Sequence, residues 1–434
     1  MEESETREET FEIEHFDTYS NTTRLKAILY NMQGHWLQYI VVVCLLFGGG
    51  LLAGRAFEQH KQEKELLMEQ EAELAALQDR GYFPLAEVMQ QAGYTQLGET
   101  AYETTVKDMQ VRVFFDYESD RCYKNAYEIP LNHEYEMFLD TRYLSGEVLK
   151  CLIGSEVSYD SEKQIVLTPV DFTQESFPEK SMLIAHAGGA VRETMRNGTY
   201  TNSLEALVQN YNLGHRVFEF DFCQTTDNRL ACIHDWKKYG NGHAVSEEEW
   251  LATKVGGLYT SLTLETLMDQ MLVIPDIYVV TDTKSYELTP EEISYQFQML
   301  YDTAMERDPE MLDHFIPQIY SDEMYDILME IYPWKSLIYT AYATKNTGEQ
   351  IASFAQAHDN IQVITCPAGD KRFTDAVKEQ IHTSGKKLYI HTVNSYSKLA
   401  DYLTAGVDGF YSDYLLPYDE EVIRSYELDD LSDS

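Results

Sequence analysis

Cysteine and basic residues are scarce in this chain, and each scarcity excludes a class of protein. The 434 residues contain 6 cysteines and no CxxC pair, which argues against a disulfide scaffold and against a structural zinc site. Lys and Arg total 33 against 73 Asp and Glu, so the formal charge is −40. Such a chain lacks the basic face that nucleic acids and anionic lipid surfaces attract. We therefore expect no nucleic-acid partner.

Apolar residues are plentiful enough to build large cores. Hydrophobic residues make up 44% of the chain and aromatic residues 12%, which excludes wholesale disorder. At roughly 100–200 residues per domain, the length predicts two or three domains. The ends are the exceptions, because residues 1–35 predict an acidic disordered tail and residues 419–434 a second acidic tail.

An apolar run without a charged residue follows the N-terminal tail. The run WLQYIVVVCLLFGGGLLA begins at Trp36 and would form a helix about 27 Å long, just enough to cross a bilayer core. A buried helix of a soluble domain, or a signal peptide cleaved near Ala53, would give a similar run. The long acidic segment before it fits a signal peptide badly. We therefore predict a single transmembrane helix over residues 36–54.

A helical spacer is predicted over residues 55–80, which are rich in Glu, Gln, Leu and Ala. Two interpretations stay open, a single solvated helix and a short coiled coil that would join two copies of the chain as a homodimer. The apolar positions with helix-compatible spacing are Leu66, Leu67, Leu74 and Leu77.

Residues 81–175 predict a small α+β module built from two similar halves. In the first half, residues 83–94 (FPLAEVMQQAGY) are followed by polar residues and the strand-like MQVRVFF. In the second, residues 136–169 predict a strand, an amphipathic helix and a hairpin that turns at residues 160–163. This arrangement resembles the copper amine oxidase N-terminal-like repeat domain. The resemblance implies a non-catalytic module on the outer side of a bacterial membrane.

Residues 180–418 predict an α/β fold, an eight-stranded (β/α)₈ TIM barrel. Apolar strand-like runs alternate with helical segments, which favours a parallel sheet, and eight such units in about 235 residues match the size of this barrel. A ninth run, LACIHD, follows the second strand too closely for a crossover helix and predicts an inserted extended segment. The predicted helices include residues 202–213, 262–271, 290–306 and 374–384, and the eight runs are LIAHA, VFEFDF, IYVVTDT, FIPQIY, SLIYTA, VITCPA, LYIHTVN and GFYSD.

Polar residues stand at the predicted C-terminal ends of the barrel strands, where TIM barrels carry their chemistry. Glu219 and Asp221 are two residues apart, which points both side chains to the same face, and Asp282 and Lys284 repeat this spacing. Any one of these residues is more simply explained as a cap or a satisfied core group. Their convergence on one mouth predicts a functional site, to which further strand ends contribute His186, His234, His391, Asn394, Asp408 and Asp413.

The order of these segments resembles the glycerophosphodiester phosphodiesterase family. The motifs IAHAGG, TYTNSLEAL, FEFDF, CIHDW, VVTDTK and IHTVN…GVDGFYSD run from Ser181 to Leu416 in the family's order, as a variant branch with HAGG in the PLC-like phosphodiesterase superfamily. The resemblance implies that His186 and His234 act as the general acid/base pair. It implies a Ca²⁺ or Mg²⁺ ion held by Glu219, Asp221 and Asp282. The residues expected to contact the substrate or its phosphate are Lys284, Trp236, His391 and Asn394.

The chain departs from the family pattern at three places. Ala187 stands where the family has an Arg, so one expected phosphate-binding cation is missing. Asp282 replaces the usual Glu and is shorter by one methylene group. Tyr200 and Thr201 replace the Pro-Glu pair before Asn202. These changes keep the expected acid/base and metal residues but leave the substrate alcohol open.

Three functions are compatible with the sequence. The first is metal-dependent hydrolysis of glycerophosphodiesters, or of related lipid or teichoic-acid phosphodiesters, to an alcohol and glycerol 3-phosphate. The second is a phospholipase C-like or lyase reaction, in which an internal hydroxyl attacks phosphorus and a cyclic phosphate forms. The third is a non-catalytic scaffold or binding protein of the cell surface.

Two signals on membrane orientation disagree. The basic residues beside the apolar run slightly favour a cytoplasmic C-terminus by the positive-inside rule. The module resemblance and the extracellular location of such substrates favour the opposite side, and we expect the barrel to be extracellular. There, Cys122 and Cys151 would either form a disulfide or stay as two free thiols. The basic residues are Arg24 and Lys26 before the run, and Arg55, Lys61 and Lys64 after it.

Overall fold

A computed structural model describes residues 36–192, 198–284 and 288–417, and both predicted acidic tails lie outside these ranges. The chain divides into two compact units, of which the first ends at Asp79 and the second begins at Arg80. In the first unit, helix α1 (Trp36–Asp79) is continuous through the predicted membrane span and spacer. Its apolar part is long enough to cross a membrane, by length and composition alone.

The second unit opens with antiparallel strands and two short helices. Ser145 caps helix α3, because its hydroxyl accepts a hydrogen bond from the backbone N–H of Val148 at 3.3 Å. The predicted hairpin is confirmed, with Tyr159 opposite Ile165. The thiols of Cys122 and Cys151 are free. The elements are β1 (Tyr82–Pro84), α2 (Leu85–Gln91), β2 (Thr95–Gln96), β3 (Ala101–Val106), β4 (Met109–Asp116), β5 (Arg121–Lys124), β6 (Tyr127–Pro130), β7 (Tyr135–Phe138), β8 (Thr141–Ser145), α3 (Gly146–Ile153), β9 (Ser155–Tyr159) and β10 (Ile165–Pro169).

The rest of the second unit is a closed parallel barrel, as predicted. In the described residues its eight strands follow the order β11, β12, β16, β17, β18, β19, β20, β21, and β21 pairs back onto β11. The strands are β11 (Leu183–Ala185), β12 (Val217–Gln224), β16 (Tyr278–Asp282), β17 (Phe315–Ile319), β18 (Leu337–Thr340), β19 (Ile361–Pro367), β20 (Lys387–His391) and β21 (Gly409–Ser412).

Helices cover the outside of the barrel, and the predicted helices are present with slightly shifted ends. The predicted extended insertion is also confirmed, because β13 (Leu230–Cys232) pairs antiparallel with the end of β12. The further elements are α4 (Phe177–Lys180), α5 (Leu204–Asn212), α6 (Glu247–Leu251), β14 (Lys254–Val255), β15 (Tyr259–Thr260), α7 (Leu264–Val273), α8 (Pro290–Arg307), α9 (Asp322–Ile331), α10 (Gly348–Ala357), α11 (Asp375–Thr383) and α12 (Tyr396–Thr404).

Successive side chains of each strand point alternately into the barrel and out of it, so every second residue fills the interior. In β12, Val217 belongs to the interior cluster, whereas Phe218, Phe220 and Phe222 belong to the core outside it. Glu219 and Asp221 continue the inward series toward the C-terminal end of the strand. The interior cluster consists of Phe177, Ile184, Val217, Tyr278, Val280, Ile316, Ile338, Val363, Tyr389 and Tyr411.

The α+β module packs against the N-terminal end of the barrel. The hydroxyl of Tyr127 donates a hydrogen bond to the Gln270 Oε1 atom at 3.0 Å. The backbone N–H of Glu128 donates to the Asn212 Oδ1 atom at 2.8 Å. Asn212 and Gln270 lie in the last turns of the helices that precede β12 and β16, and these turns border the end where the strands begin. The module therefore leaves the opposite end of the barrel open.

Candidate active site

A cavity of about 420 Å³ lies at the C-terminal ends of the barrel strands. The inward-facing side chains of the strands end at this mouth. Six predicted site residues line the cavity: His186, Glu219, His234, Asp282, Lys284 and His391. Aromatic rings form much of the remaining wall. The lining residues are His186, Tyr200, Glu219, His234, Asp282, Lys284, Gln318, Tyr342, Pro367, His391, Thr392 and Tyr411.

Three buried carboxylates meet beside this cavity. Glu219 and Asp221 share one face of β12, and Asp221 is the register partner of Asp282 on the neighbouring strand β16. Each carboxylate offers one oxygen, and these three oxygens lie within 4.8 Å of one another. Burial and the charge of Asp221 raise the pKa of Glu219. Such a cluster of buried oxygen donors has the chemistry of a Ca²⁺ or Mg²⁺ site, because a divalent cation would compensate its charge.

A fully buried asparagine clamps the middle carboxylate. The Asn202 Nδ2 group donates a hydrogen bond to the Asp221 Oδ2 atom at 2.9 Å, and Asn202 Oδ1 accepts one from the Asp221 backbone N–H at 2.9 Å. Asn202 adopts a left-handed backbone conformation with φ of 47°, which asparagine tolerates better than most residues. The sequence showed Asn202 as part of a motif but gave it no role.

The outer two carboxylates are also fixed by hydrogen bonds. The backbone N–H of Ala187 donates to the Glu219 Oε2 atom at 2.6 Å. The hydroxyl of Tyr320, fully buried just after β17, donates to the Asp282 Oδ1 atom. Ala187 is itself buried in a left-handed conformation with φ of 50°, so the position that departs from the family pattern acts here through its backbone.

Lys284 connects the carboxylates of the two adjacent strands. Its Nζ atom donates hydrogen bonds to the Asp221 Oδ1 atom at 2.7 Å and to the Asp282 Oδ2 atom. Burial acts against the charged form of Lys284, but the surrounding carboxylates outweigh it and raise the pKa of this ammonium. Burial likewise acts to raise the pKa of Asp221, and Lys284 outweighs it, so the pKa of Asp221 is lowered.

His186 forms a buried ion pair that the sequence did not predict. Its Nδ1 atom donates to the Asp413 Oδ1 atom at 2.9 Å. Burial acts to lower the pKa of His186, but the hydrogen bond to Asp413 and the charge of Glu219 outweigh it and raise the pKa to about 9. Asn394 holds Asp413 in turn, because its Nδ2 group donates to Asp413 Oδ2 at 2.7 Å and its Oδ1 atom accepts from the Asp413 N–H at 2.8 Å.

His234 lies across the cavity mouth from His186 and is more exposed. Its Nδ1 atom is 2.9 Å from the Asp235 Oδ2 atom, and its side chain is 44% exposed. Tyr200 stands between the two histidines, with its ring centroid 4.6 Å from that of His186 and 5.8 Å from that of His234, in both cases edge-on. Each histidine thus has Nδ1 engaged by a carboxylate, which leaves Nε2 as the second ring nitrogen.

The remaining predicted contacts divide into one that lines the cavity and two that do not. His391 faces the cavity, and burial together with the charge of His186 lowers its pKa to about 4, so it is neutral at pH 7. Trp236 packs edge-on against Trp250 in a satellite core, with ring centroids 5.5 Å apart. Of the described residues that line the cavity, none is Trp236 or Asn394. Among the described contacts, Asn394 reaches the site through Asp413. The expectation that Asp408 lies at the mouth was wrong, because Asp408 precedes β21 at the opposite end of that strand and pairs with His382 at 2.8 Å.

No protein-family model matches the chain, and no curated protein matches it either. Solved structures do match. A glycerophosphodiester phosphodiesterase from Parabacteroides distasonis is 16% identical, with a TM-score of 0.45 over 56% of this chain and 97% of that one. A phosphodiesterase from Oleispira antarctica, in complex with the product sn-glycerol 3-phosphate, is 15% identical, with a TM-score of 0.43 over 56% of this chain and 96% of that one. Identities and TM-scores this low carry no function over to this chain.

Proposed function

We propose that this chain is a membrane-anchored, metal-dependent phosphodiesterase that hydrolyses glycerophosphodiesters, or related lipid or teichoic-acid phosphodiesters, to an alcohol and glycerol 3-phosphate. One observation carries the proposal. Two histidines with carboxylate partners face one cavity together with a cluster of buried carboxylates and a lysine. The motif order from Ser181 to Leu416 supports the same reaction.

The donor set fits a divalent cation. Glu219, Asp221 and Asp282 would hold Ca²⁺ or Mg²⁺, since both prefer oxygen ligands. When bound, such an ion neutralises the phosphodiester and stabilises the charge that develops on its non-bridging oxygens. Lys284 contacts two of these carboxylates, Asp221 and Asp282, and also lines the cavity, so it is placed to bind the substrate phosphate.

The two histidines divide the proton transfers. His186 is buried and paired with Asp413, which favours the protonated ring, and we assign it as the general acid that protonates the leaving alkoxide at Nε2. His234 is half exposed beside Asp235, and we assign it as the general base that accepts the proton of the attacking water. Asp413 and Asp235 hold the rings by their Nδ1 atoms and thereby direct both Nε2 atoms to these tasks.

We propose a single-pass location in a bacterial cell membrane, with the barrel outside the cell. Helix α1 supports the anchor by its length and composition. The resemblance of residues 81–175 to the copper amine oxidase N-terminal-like module supports the outward side. The exposed Leu66 and Leu67 on the same helix support self-association of two copies through the spacer.

The test measures release of glycerol 3-phosphate from glycerophosphodiesters by the full chain in detergent. We expect turnover that EDTA abolishes and that His186→Ala and His234→Ala each reduce by at least about a hundredfold. His382→Ala is the matched control, because His382 pairs with Asp408 at an exposed position away from the cavity and its loss should leave turnover intact.

Other outcomes identify the alternatives. A cyclic phosphate product would indicate the lyase reaction instead of hydrolysis. Turnover that survives both histidine substitutions would contradict the assigned acid and base. Absence of turnover on every phosphodiester offered, together with no binding of a divalent cation, would leave the chain as a surface scaffold.

A further inference from the structure

The contacts of Lys284 lead to an inference that concerns how metal and substrate bind to the proposed site. We propose that the Lys284 ammonium competes with the divalent cation for the oxygens of Asp221 and Asp282, and that cation binding turns the ammonium toward the substrate phosphate. The competition stands on the carboxylate contacts alone. The second part, delivery of the ammonium to phosphate, rests on the proposed phosphodiesterase function.

Hydrogen bonds from other residues hold one oxygen of each aspartate and leave the other oxygen as the more available ligand for a cation. Asp221 Oδ2 accepts a hydrogen bond from Asn202, so Oδ1 is the more available oxygen. Asp282 Oδ1 is taken by the Tyr320 hydroxyl and by the backbone N–H of Lys284 at 3.1 Å, which leaves Oδ2. Both of the oxygens that remain receive hydrogen bonds from Lys284 Nζ.

An ammonium group and a divalent ion that bind the same pair of oxygens weaken each other's binding. Ca²⁺ and Mg²⁺ bind carboxylate oxygens at about 2.0–2.6 Å, and an ammonium hydrogen bond is only slightly longer. Two cations held by the same two oxygens therefore face each other at close range in a buried site, where the repulsion is weakly screened. Glu219 differs from the aspartates, because no hydrogen bond joins it to Lys284 among the described contacts.

When the Lys284 ammonium leaves the aspartates, it can turn into the cavity. Its side chain is 19% exposed and lines the cavity, and its flexible four-carbon stem lets Nζ turn without backbone movement. A phosphate bound beside the histidines would receive the released ammonium. Because the ammonium then stabilises the anion instead of opposing the cation, the two ligands favour each other's binding, and this coupling is reciprocal.

The first test measures the affinity of the full chain for Ca²⁺ and for Mg²⁺ alone by calorimetry. In Lys284→Met, which keeps the stem and removes the charge, we expect affinity to rise by at least about tenfold, the effect of removing one nearby like charge. Lys238→Met is the matched control, because Lys238 is exposed and outside the cavity. The cation affinity of this variant should equal that of the wild type. Unchanged or weaker binding in Lys284→Met, or no binding by either protein, would overturn the competition.

The second test uses the unsubstituted chain, so it does not depend on whether Lys284→Met folds. Acetic anhydride labelling, followed by peptide mass spectrometry, reports how available each lysine is. We expect Ca²⁺ to increase the labelling rate of Lys284 and glycerol 3-phosphate to reverse the increase, with Lys238 unaffected by either ligand. A Lys284 rate that Ca²⁺ leaves unchanged would refute its displacement.

These measurements separate this inference from the proposed function. Cation affinity and Ca²⁺-dependent labelling are read without any phosphodiester being hydrolysed. If both behave as expected while no phosphodiester is turned over, the competition stands and the hydrolytic function fails. If turnover is present but removal of Lys284 leaves cation affinity unchanged, the function stands and the inference fails.

Discussion

Replacing Asp413 with asparagine should lower the pKa of His186 and bring its titration closer to neutral pH. Asp413 supplies both a hydrogen bond at 2.9 Å and a negative charge to the buried ring. Asparagine keeps the shape of the side chain but carries no charge, and its NH₂ group must face either His186 Nδ1 or Asn394 Nδ2, both of which are donors towards Asp413. The substitution therefore removes the charge together with one hydrogen bond and leaves the packed volume almost unchanged.

The magnitude follows from the pKa of His186. The site raises this pKa from 6.5 to about 9, against the opposing effect of burial. Glu219 and Asp221 supply part of the increase and remain in the variant. Loss of one charged partner at hydrogen-bonding distance typically shifts a pKa by about 1–3 units, so we expect the pKa of His186 to fall by about 1–2 units in Asp413→Asn.

The assay follows the imidazole resonances of His186 by NMR in EDTA, alongside the pH profile of kcat/KM with metal present. A general acid must be protonated, so the alkaline limb of the profile should move to lower pH in Asp413→Asn. Asp408→Asn is the matched control. Asp408 lies five residues before Asp413 and pairs with His382 at 2.8 Å, away from the cavity. Loss of the Asp408 charge should therefore leave the pH profile unchanged. If the pKa of His186, read from the pH titration of its resonances, were the same in Asp413→Asn and in the wild type, the electrostatic role of Asp413 would be refuted.

The same pKa predicts how stability depends on pH. The folded-state pKa of His186 lies above the unfolded value of 6.5, so folding binds this proton more tightly. The stabilisation, on the order of 3 kcal/mol, is fully present below about pH 6.5 and is lost as pH rises toward 9. Denaturant unfolding in EDTA should show a smaller alkaline loss in Asp413→Asn than in the wild type. Equal alkaline losses of stability in the two proteins would contradict the dependence of stability on the His186–Asp413 pair.

Two further substitutions test the packing that supports the site. Asn202→Ala should destabilise the fold by about 1–3 kcal/mol, because it leaves buried groups of Asp221 without hydrogen bonds, and unfolding by urea measures this. Gly409→Ala should destabilise by about 3 kcal/mol, because its Cβ would lie 2.3 Å from the buried ring of Tyr389. Gly98→Ala is the matched control with open space around it, and a Gly409→Ala midpoint equal to that control would contradict the close approach.

Much of the barrel could be predicted because its signals are local. Alternation of strand-like and helical runs is visible in the sequence, and the i, i+2 spacing of Glu219 and Asp221 places both on one face of the strand. That face is the interior one, because it also carries Val217 of the interior cluster. The predicted meeting of these residues with Asp282 is reproduced because parallel strands align their C-terminal ends. The catalytic and ligand roles of these residues stay predictions.

The missing parts of the site depend on contacts between distant segments. His186 and Asp413 are brought together only because the last strand closes the barrel against the first. Closure itself was a usable signal, since it makes the residues after strands one and eight neighbours. No comparable signal pointed to Tyr320, whose hydroxyl reaches across from the adjacent strand, or to the packing of Trp236 away from the cavity.

Closure of the barrel by its last strand also has a consequence for biosynthesis. The chain is synthesised from its N-terminus, so β11 and His186 emerge long before β21 and Asp413. Until β21 docks, the first strand has an unpaired edge and His186 has no carboxylate to share its proton. Nascent chains that stop short of Asp413 would carry nearly every residue of the candidate site and still lack the partner of His186. The His186–Asp413 pair can therefore form only after synthesis of the barrel is complete.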